Sequence, residues 1–123
     1  IAAQAAERSS TVASAIRIAE PAHREHAEKV VELAEGSVVT VSDDEILAAW
    51  RDLAHLEGVF CEPSSAAGLA ALGKLTDVAG SRVVCIITGH GLKDPRVVEE
   101  STEPPIKVEP DADAIAAAAA QAG

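Results

Sequence analysis

The sequence of 123 residues predicts an α/β fold, in which the chain forms part of an open, mostly parallel sheet with flanking helices. The first observation is an alternation of short apolar runs with amphipathic segments, in the order strand, helix, strand, helix, strand, which is typical of parallel strands joined by right-handed crossovers. The second is the run at residues 83–87, whose five apolar residues indicate a strand buried on both faces. Three strands cover a core poorly, so we expect the chain to be a portion of a larger sheet.

Two helices are predicted before the first strand. The first begins at Thr11, a suitable N-cap, and carries apolar residues at helical spacing as far as Ala19, with Pro21 behind its end. The second covers residues 22–35 and stops at Gly36. The first ten residues are small and polar and receive no assignment.

Residues 38–41 form the first short predicted strand, and a long amphipathic helix follows it. Ser42 and Glu45 have the spacing of a capping box, in which each side chain satisfies a free amide at the helix start. Gly58 ends the helix. Its apolar face is expected to be buried with the later strands, in a core that contains Ile46, Trp50, Leu53, Val59, Val84 and Ile86.

A second short strand at residues 59–61 leads into a helix that runs to about Leu75. The turn between them carries Glu62, a proline and two hydroxyls, Ser64 and Ser65, and small residues fill the first helical turn. Two interpretations are equally open from this stretch alone. Either the turn faces a ligand, or it is an ordinary serine N-cap with an acidic neighbour that suits the helix dipole.

The third strand, residues 83–87, ends abruptly at Thr88, and Gly89 and Gly91 follow. In open α/β sheets, ligands bind just beyond the carboxyl ends of such strands, and glycines there allow the backbone to approach a ligand closely. Thr88 is therefore the residue at which we expect chemistry. After Asp94-Pro95 the chain becomes irregular and rich in proline, and then in alanine, with a helix that has little to pack against. We divide the chain into a domain of residues 1–98 and a tail of residues 99–123.

Composition narrows the classes of function. The net charge of −10, from 10 basic and 20 acidic residues, argues against a nucleic-acid partner because phosphate binding needs a basic face. No apolar run reaches membrane-spanning length and no signal-peptide pattern is visible, so we expect a cytoplasmic protein with no membrane partner.

The absence of Met indicates a processed or excised piece. Cys61 and Cys85 lie in apolar runs and are expected to be buried free thiols, and no cysteine or histidine cluster has metal-ligand spacing.

Two motifs together carry a resemblance to a known family. Thr88-Gly89-His90-Gly91-Leu92-Lys93-Asp94-Pro95 closely resembles the late glycine motif of the threonine synthase family, and Glu62-Pro63-Ser64-Ser65-Ala66 resembles its Glu-Pro-(Ala/Ser)-Ser-Ala motif at a similar distance upstream. Shorter stretches before and between the motifs are also similar to that family. The resemblance covers roughly residues 11–98, with several motifs in the right order.

This resemblance implies a fold type II enzyme that depends on pyridoxal phosphate and converts O-phosphohomoserine and water to threonine and phosphate. In that family the threonine that matches Thr88 binds the pyridine nitrogen of the cofactor, and a neutral hydroxyl leaves the ring less strongly protonated than an aspartate would. Gly89 and Gly91 are expected to let the loop pass close to the ring. By similarity, Glu62 and Ser64 lie near the cofactor pocket. No catalytic residue is assigned to this segment, and no metal.

The chain also departs from the family pattern. It contains neither the early segment with the Schiff-base lysine nor the glycine-rich loop that holds the cofactor phosphate, so it resembles the C-terminal part of the enzyme and is expected to be inactive by itself. We expect the full-length enzyme to be a homodimer. Two alternatives stay open: a related fold type II lyase, such as a dehydratase or a tryptophan synthase β-like protein, and a stand-alone remnant without catalysis.

Overall fold

The structure is a computed structural model that describes residues 10–76 and 78–122. Within these residues the regular elements are five α-helices and two short 3₁₀ turns. The helices are α1 (Arg24–Leu33), α2 (Asp43–Glu57), α3 (Pro63–Leu72), α4 (Pro95–Ser101) and α5 (Ala112–Ala122), and the 3₁₀ turns are Ser14–Ile16 and Gly91–Lys93. In this part of the chain no helix is long and apolar enough to cross a membrane.

The predicted sheet is not found in the described residues. None of the runs at 38–41, 59–61 and 83–87 is a strand there, and the β-type pairing is one isolated antiparallel bridge between Cys61 and His90. A strand exists only through hydrogen bonds to a neighbouring strand, and the described residues provide no such neighbour for 83–87. The prediction that Val84 and Ile86 lie in the core is therefore wrong for this chain, since they are 80% and 77% exposed.

The core lies where α2 packs on α3. Its buried apolar members are Ala13, Ile46, Ala49, Trp50, Cys61 and Ala66. The Trp50 indole Nε1–H donates to the Cys61 carbonyl at 2.7 Å, which fixes residue 61 directly before α3. The predicted burial of Ile46 and Trp50 is confirmed, whereas Leu53 is half-buried and Val59 is exposed. Burial raises the pKa of the Cys61 thiol, as expected for a buried structural cysteine.

The start and end of α2 agree with the sequence prediction. The Glu45 amide donates to Ser42 Oγ at 3.2 Å, and the Ser42 amide donates to Glu45 Oε2 at 2.7 Å, so the capping box is complete. Gly58 ends the helix in the left-handed conformation with φ 66°, which glycine adopts without steric cost. The start signal and the stop signal each act on backbone groups only a few residues away, which is why both could be predicted from the sequence.

The helix predicted from Thr11 is wrong, because only the 3₁₀ turn Ser14–Ile16 forms there. Thr11 Oγ1 donates to Asp43 Oδ1 at 2.5 Å and the Val12 amide donates to Asp43 Oδ2 at 3.1 Å. These groups would have capped a helix locally, but they bind the first turn of α2 instead. Ser14 Oγ likewise donates to Asp94 Oδ2 at 2.5 Å, 80 residues away in sequence.

The peripheral helices follow the predictions in part. The expectation of an irregular chain directly after Asp94-Pro95 is wrong, because Pro95 begins α4 at the first helical position, where proline is well tolerated. The helix predicted at residues 22–35 is α1, which is two residues shorter at each end and has no buried residue. The predicted tail helix is α5, whose side chains are mostly exposed. Positions 98 and 99, where the sequence places its domain boundary, both lie inside α4. The unassigned residues 1–9 lie outside the described part of the chain.

Candidate functional site

Two segments that are distant in sequence meet to form the candidate site. The Glu62 amide donates to the Gly89 carbonyl at 3.0 Å, and the Gly91 amide donates to the Phe60 carbonyl at 3.2 Å. These two hydrogen bonds flank the bridge between Cys61 and His90. They hold the beginning of α3 beside the loop that starts at Thr88, so both sequence motifs contribute to one place.

Ser65 is the hydrogen-bonding centre of this place. It is 3% exposed, and its Oγ accepts from the Gly89 amide at 2.7 Å and from the Thr88 amide at 3.2 Å. It also lies 2.9 Å from Thr88 Oγ1. Thr88 is an exposed residue whose hydroxyl is held by Ser65 in a part-buried contact.

The two glycines of the loop provide space for neighbouring side chains. A Cβ at Gly89 would lie 2.1 Å from Glu62 Oε1, and a Cβ at Gly91 would lie 2.4 Å from Phe60 Cζ. Neither glycine has a positive φ, so the requirement is space and not backbone conformation. In the described residues the close approach therefore concerns Glu62 and Phe60.

The turn before α3 is not an ordinary serine cap. Glu62 occupies the N-cap position without a side-chain capping hydrogen bond, and Pro63 is the first helical residue. Ser65 Oγ is directed to the loop at 88–89, and the buried Ser64 Oγ has no hydrogen-bond partner in the described part of the chain. Of the two interpretations left open by the sequence, simple capping fails, because neither hydroxyl satisfies the helix start.

Glu62, the carboxylate of this turn, is 8% exposed and lies against Gly89. A second buried carboxylate, Asp94, fixes the far end of the loop. It is 6% exposed, accepts from Ser14 Oγ and lies 3.6 Å from Arg96 Nε. The loop from Thr88 to Asp94 is thus held at both ends by buried polar groups. No group of three or more His, Cys, Asp or Glu in the described residues is arranged to hold a metal ion.

The structure brings together Glu62, Thr88, Gly89 and Gly91 from the predicted site. It does not give Ser64 a partner at the loop, and the adjacent Ser65 makes that contact instead. Sequence reasoning quoted Ser65 in the motif but did not select it. No sequence signal separates the two serines, because the rotation of α3 about its axis decides which hydroxyl faces the loop.

Comparison with known proteins shows the family to which the chain belongs. Residues 2–89 match the family described as "Pyridoxal-phosphate dependent enzyme". This chain belongs to that family. The match ends at Gly89 and includes the serines at the start of α3.

Proteins that carry the name "Threonine synthase" are similar to the chain over most of its length. The protein of Methanosarcina acetivorans is 46% identical over 113 residues, which cover 89% of this chain and 28% of the relative. The protein of Methanocaldococcus jannaschii is 43% identical over 105 residues, covering 82% and 26% respectively. The protein of Synechocystis is 45% identical over 112 residues, covering 88% and 29%. The chain thus spans less than a third of the length of these relatives.

The residues on the candidate site fit the ring of the cofactor for which the family is named. A pyridine nitrogen can accept a hydrogen bond, and Thr88, an exposed residue, offers a neutral hydroxyl that Ser65 already holds in place. Ser64 Oγ is a buried polar atom without a partner among the described residues, which costs free energy unless another group satisfies it. Both features are expected of a surface that binds a polar ligand.

Proposed function

We propose that this chain is the C-terminal part of a threonine synthase, an enzyme that converts O-phosphohomoserine and water to threonine and phosphate. The observation that carries the proposal is the sequence identity of 43–46% to proteins named threonine synthase over at least 82% of the chain. Thr88, an exposed residue whose hydroxyl is anchored by Ser65, supports it. These relatives do not favour the alternatives of a different fold type II lyase or a remnant without catalysis.

In the proposed enzyme, Thr88 donates a hydrogen bond to the pyridine nitrogen of pyridoxal phosphate. The cofactor supplies an electron sink for charge that develops on the amino-acid substrate. Because the Thr88 hydroxyl is neutral, it keeps the ring nitrogen in place without providing the negative charge that would stabilise a protonated ring. Gly89 and Gly91 keep the loop close to α3, and Glu62 and Ser64 border the ring.

The predicted parallel sheet belongs to this proposal as well. Val84 and Ile86 alternate with the half-buried Cys85 and Ile87, and their large exposed apolar side chains support a strand that other parts of the whole protein cover. We assign residues 1–98 to the cofactor-binding α/β domain and residues 99–123 to a tail. The exposed apolar surface supports burial within a homodimeric enzyme, and the two free cysteines support a cytoplasmic location.

The first test is to sequence the DNA upstream of Ile1 and then to express the complete reading frame in the presence of pyridoxal phosphate. We expect release of phosphate from O-phosphohomoserine with formation of an equal amount of threonine. The 123-residue chain alone is expected to be inactive. A folded, cofactor-loaded protein that releases no phosphate would refute the proposal, and ammonia formed from serine or threonine as the main activity would favour the dehydratase alternative.

The role of Thr88 has its own test in that enzyme. Thr88→Val keeps the shape and removes the hydroxyl, so the ring nitrogen loses its partner at a cost of roughly 1–3 kcal/mol, or about 5- to 150-fold in turnover. Thr102→Val is the matched control, because Thr102 is exposed at the end of α4 and its Oγ1 donates to the Val98 carbonyl of that helix, away from the candidate site. Turnover of Thr88→Val near that of the control would remove Thr88 from the mechanism.

A further inference from the structure

Ser65 Oγ lies within hydrogen-bonding distance of four groups on the loop. It accepts from the Gly89 amide at 2.7 Å and from the Thr88 amide at 3.2 Å. It also lies 2.9 Å from Thr88 Oγ1 and 3.4 Å from the Gly89 carbonyl. Either oxygen of the Ser65–Thr88 pair could be the donor by distance alone, so the direction of that bond has to come from the remaining contacts.

A count of lone pairs settles the direction. A serine hydroxyl has two acceptor sites and one proton, and the two amides occupy both acceptor sites of Ser65 Oγ. Its proton must therefore be donated, and Thr88 Oγ1 is the nearer acceptor. The alternative acceptor, the Gly89 carbonyl, lies at 3.4 Å and is the weaker one, and with either acceptor Thr88 cannot donate to Ser65 Oγ, whose acceptor sites are both occupied. Ser65 thus donates to Thr88.

This direction leaves the proton of Thr88 Oγ1 free to point away from Ser65. A hydroxyl that accepts a hydrogen bond becomes a stronger donor and a weaker acceptor, because linked hydrogen bonds polarise one another. We propose that Ser65 is a positioning residue that makes Thr88 a hydrogen-bond donor and so keeps the ring nitrogen of pyridoxal phosphate unprotonated. The inference rests on the proposed function and adds to it the residue that sets the protonation state of the ring.

The experiment uses the complete holoenzyme loaded with pyridoxal phosphate labelled with ¹⁵N in the ring, because the ¹⁵N chemical shift reports protonation of that nitrogen directly. In the wild-type enzyme we expect the shift of an unprotonated, hydrogen-bonded nitrogen at pH 7. In Ser65→Ala, Thr88 becomes a weaker donor and can turn to accept. The pKa of the ring nitrogen should then rise by about 0.5–1 unit, the equivalent of one hydrogen bond.

Three further variants separate positioning from a general structural effect. Ser65→Thr keeps a hydroxyl and should restore the wild-type titration. Thr88→Val should raise the pKa of the ring nitrogen by itself, and adding Ser65→Ala to it should cause no additional shift, because Ser65 acts only through Thr88. Ser81→Ala, in an exposed turn, is the control for a serine substitution outside the site.

Each outcome bears on the proposal. A ring-nitrogen titration unchanged in folded Ser65→Ala, or an equal shift with and without the Thr88 hydroxyl, would overturn it while leaving the proposed function intact. If Ser65→Ala does not fold, Ser65→Cys, whose thiol is a weak donor and a weak acceptor, takes its place. A ring-nitrogen pKa unchanged from the wild type then overturns the proposal, and a raised pKa that causes no additional shift beside Thr88→Val supports it. A complete protein that binds no pyridoxal phosphate would overturn the proposed function and this inference together.

Discussion

Replacing Gly89 by alanine should destabilise the protein, because the added methyl group enters space that the Glu62 side chain occupies. The new Cβ would lie 2.1 Å from Oε1, 2.3 Å from Cδ and 2.9 Å from Cγ of Glu62. Ordinary contacts between such atoms begin at about 3.5 Å, so one of the two groups must move by more than an ångström. Glu62 is buried beneath the loop and has little room to do so.

The size of the effect follows from what has to move. If Glu62 shifts, overpacking of this kind costs about 1–3 kcal/mol. If the loop shifts instead, it loses the hydrogen bonds from the Glu62 amide to the Gly89 carbonyl and from the Gly89 amide to Ser65 Oγ, at about 1 kcal/mol each. Both routes lead to a loss of about 2 kcal/mol in the free energy of unfolding.

Gly68 provides the matched control. It lies inside α3, is exposed, and a Cβ there would meet nothing within 4 Å. Gly68→Ala should therefore stabilise the protein by about 0.5–1 kcal/mol, because alanine loses less backbone entropy in a helix. Glycine-to-alanine substitution is thus expected to lower the free energy of unfolding at Gly89 and to raise it at Gly68.

Denaturant unfolding followed by circular dichroism measures both changes. Glu62→Ala should relieve most of the Gly89→Ala penalty in a double-mutant cycle, whereas Glu62→Gln, which keeps the volume and removes the charge, should not. Gly89→Ala with wild-type stability would refute the steric argument. A penalty that persists in full beside Glu62→Ala would place its origin elsewhere in the loop.

Two further predictions concern the scaffold of the site. Trp50→Ala should lower the free energy of unfolding by about 3–5 kcal/mol, because it leaves a cavity at the α2–α3 contact. Trp50→Phe should lower it by about 1–2 kcal/mol, because the Cys61 carbonyl loses its donor. Equal stability of Trp50→Phe and the wild type in the same unfolding assay would contradict the role of this hydrogen bond. The hydrogen bond from Lys74 and that from the Ser42 amide lower the pKa of Glu45, so their stabilisation is present above the ordinary carboxyl pKa and is lost as the pH falls through the lowered one. Lys74→Gln should raise the Glu45 pKa in an NMR titration, while Lys107→Gln, a change at an exposed lysine that does not perturb Glu45, should leave it unchanged.

Local signals in the sequence determined the helices around the site. The capping box of Ser42 and Glu45 and the stop at Gly58 define α2 within a residue of its observed bounds. Glu62-Pro63 similarly predicted where α3 begins, although α3 ends at Leu72, earlier than expected. Each of these signals acts on backbone groups at a helix end that lie only a few residues away in sequence. The residues around a helix end are therefore sufficient to predict its position.

The site itself required the tertiary structure. The sequence indicated that Thr88 and the Glu62 motif matter, but the choice between Ser64 and Ser65 depends on how α3 is rotated against a loop more than 20 residues away. Thr11 likewise has the local pattern of an N-cap and instead binds Asp43 across 32 residues. Side-chain hydrogen bonds between distant segments are decided by packing, which no local pattern encodes.

The sequence by itself determined the bounds of α2, the start of α3 and the two motifs that carry the family resemblance, because short-range hydrogen bonding and residue identity are sufficient for these. Only the tertiary structure decided that Ser65 anchors Thr88 and that Gly89 and Gly91 are needed as space for Glu62 and Phe60. The run at 83–87 illustrates the limit: its composition favours a buried strand, yet a strand forms only when a second strand supplies hydrogen-bond partners along its edge. Whether residues 83–87 form a strand therefore depends on a partner strand and is not decided by the segment alone.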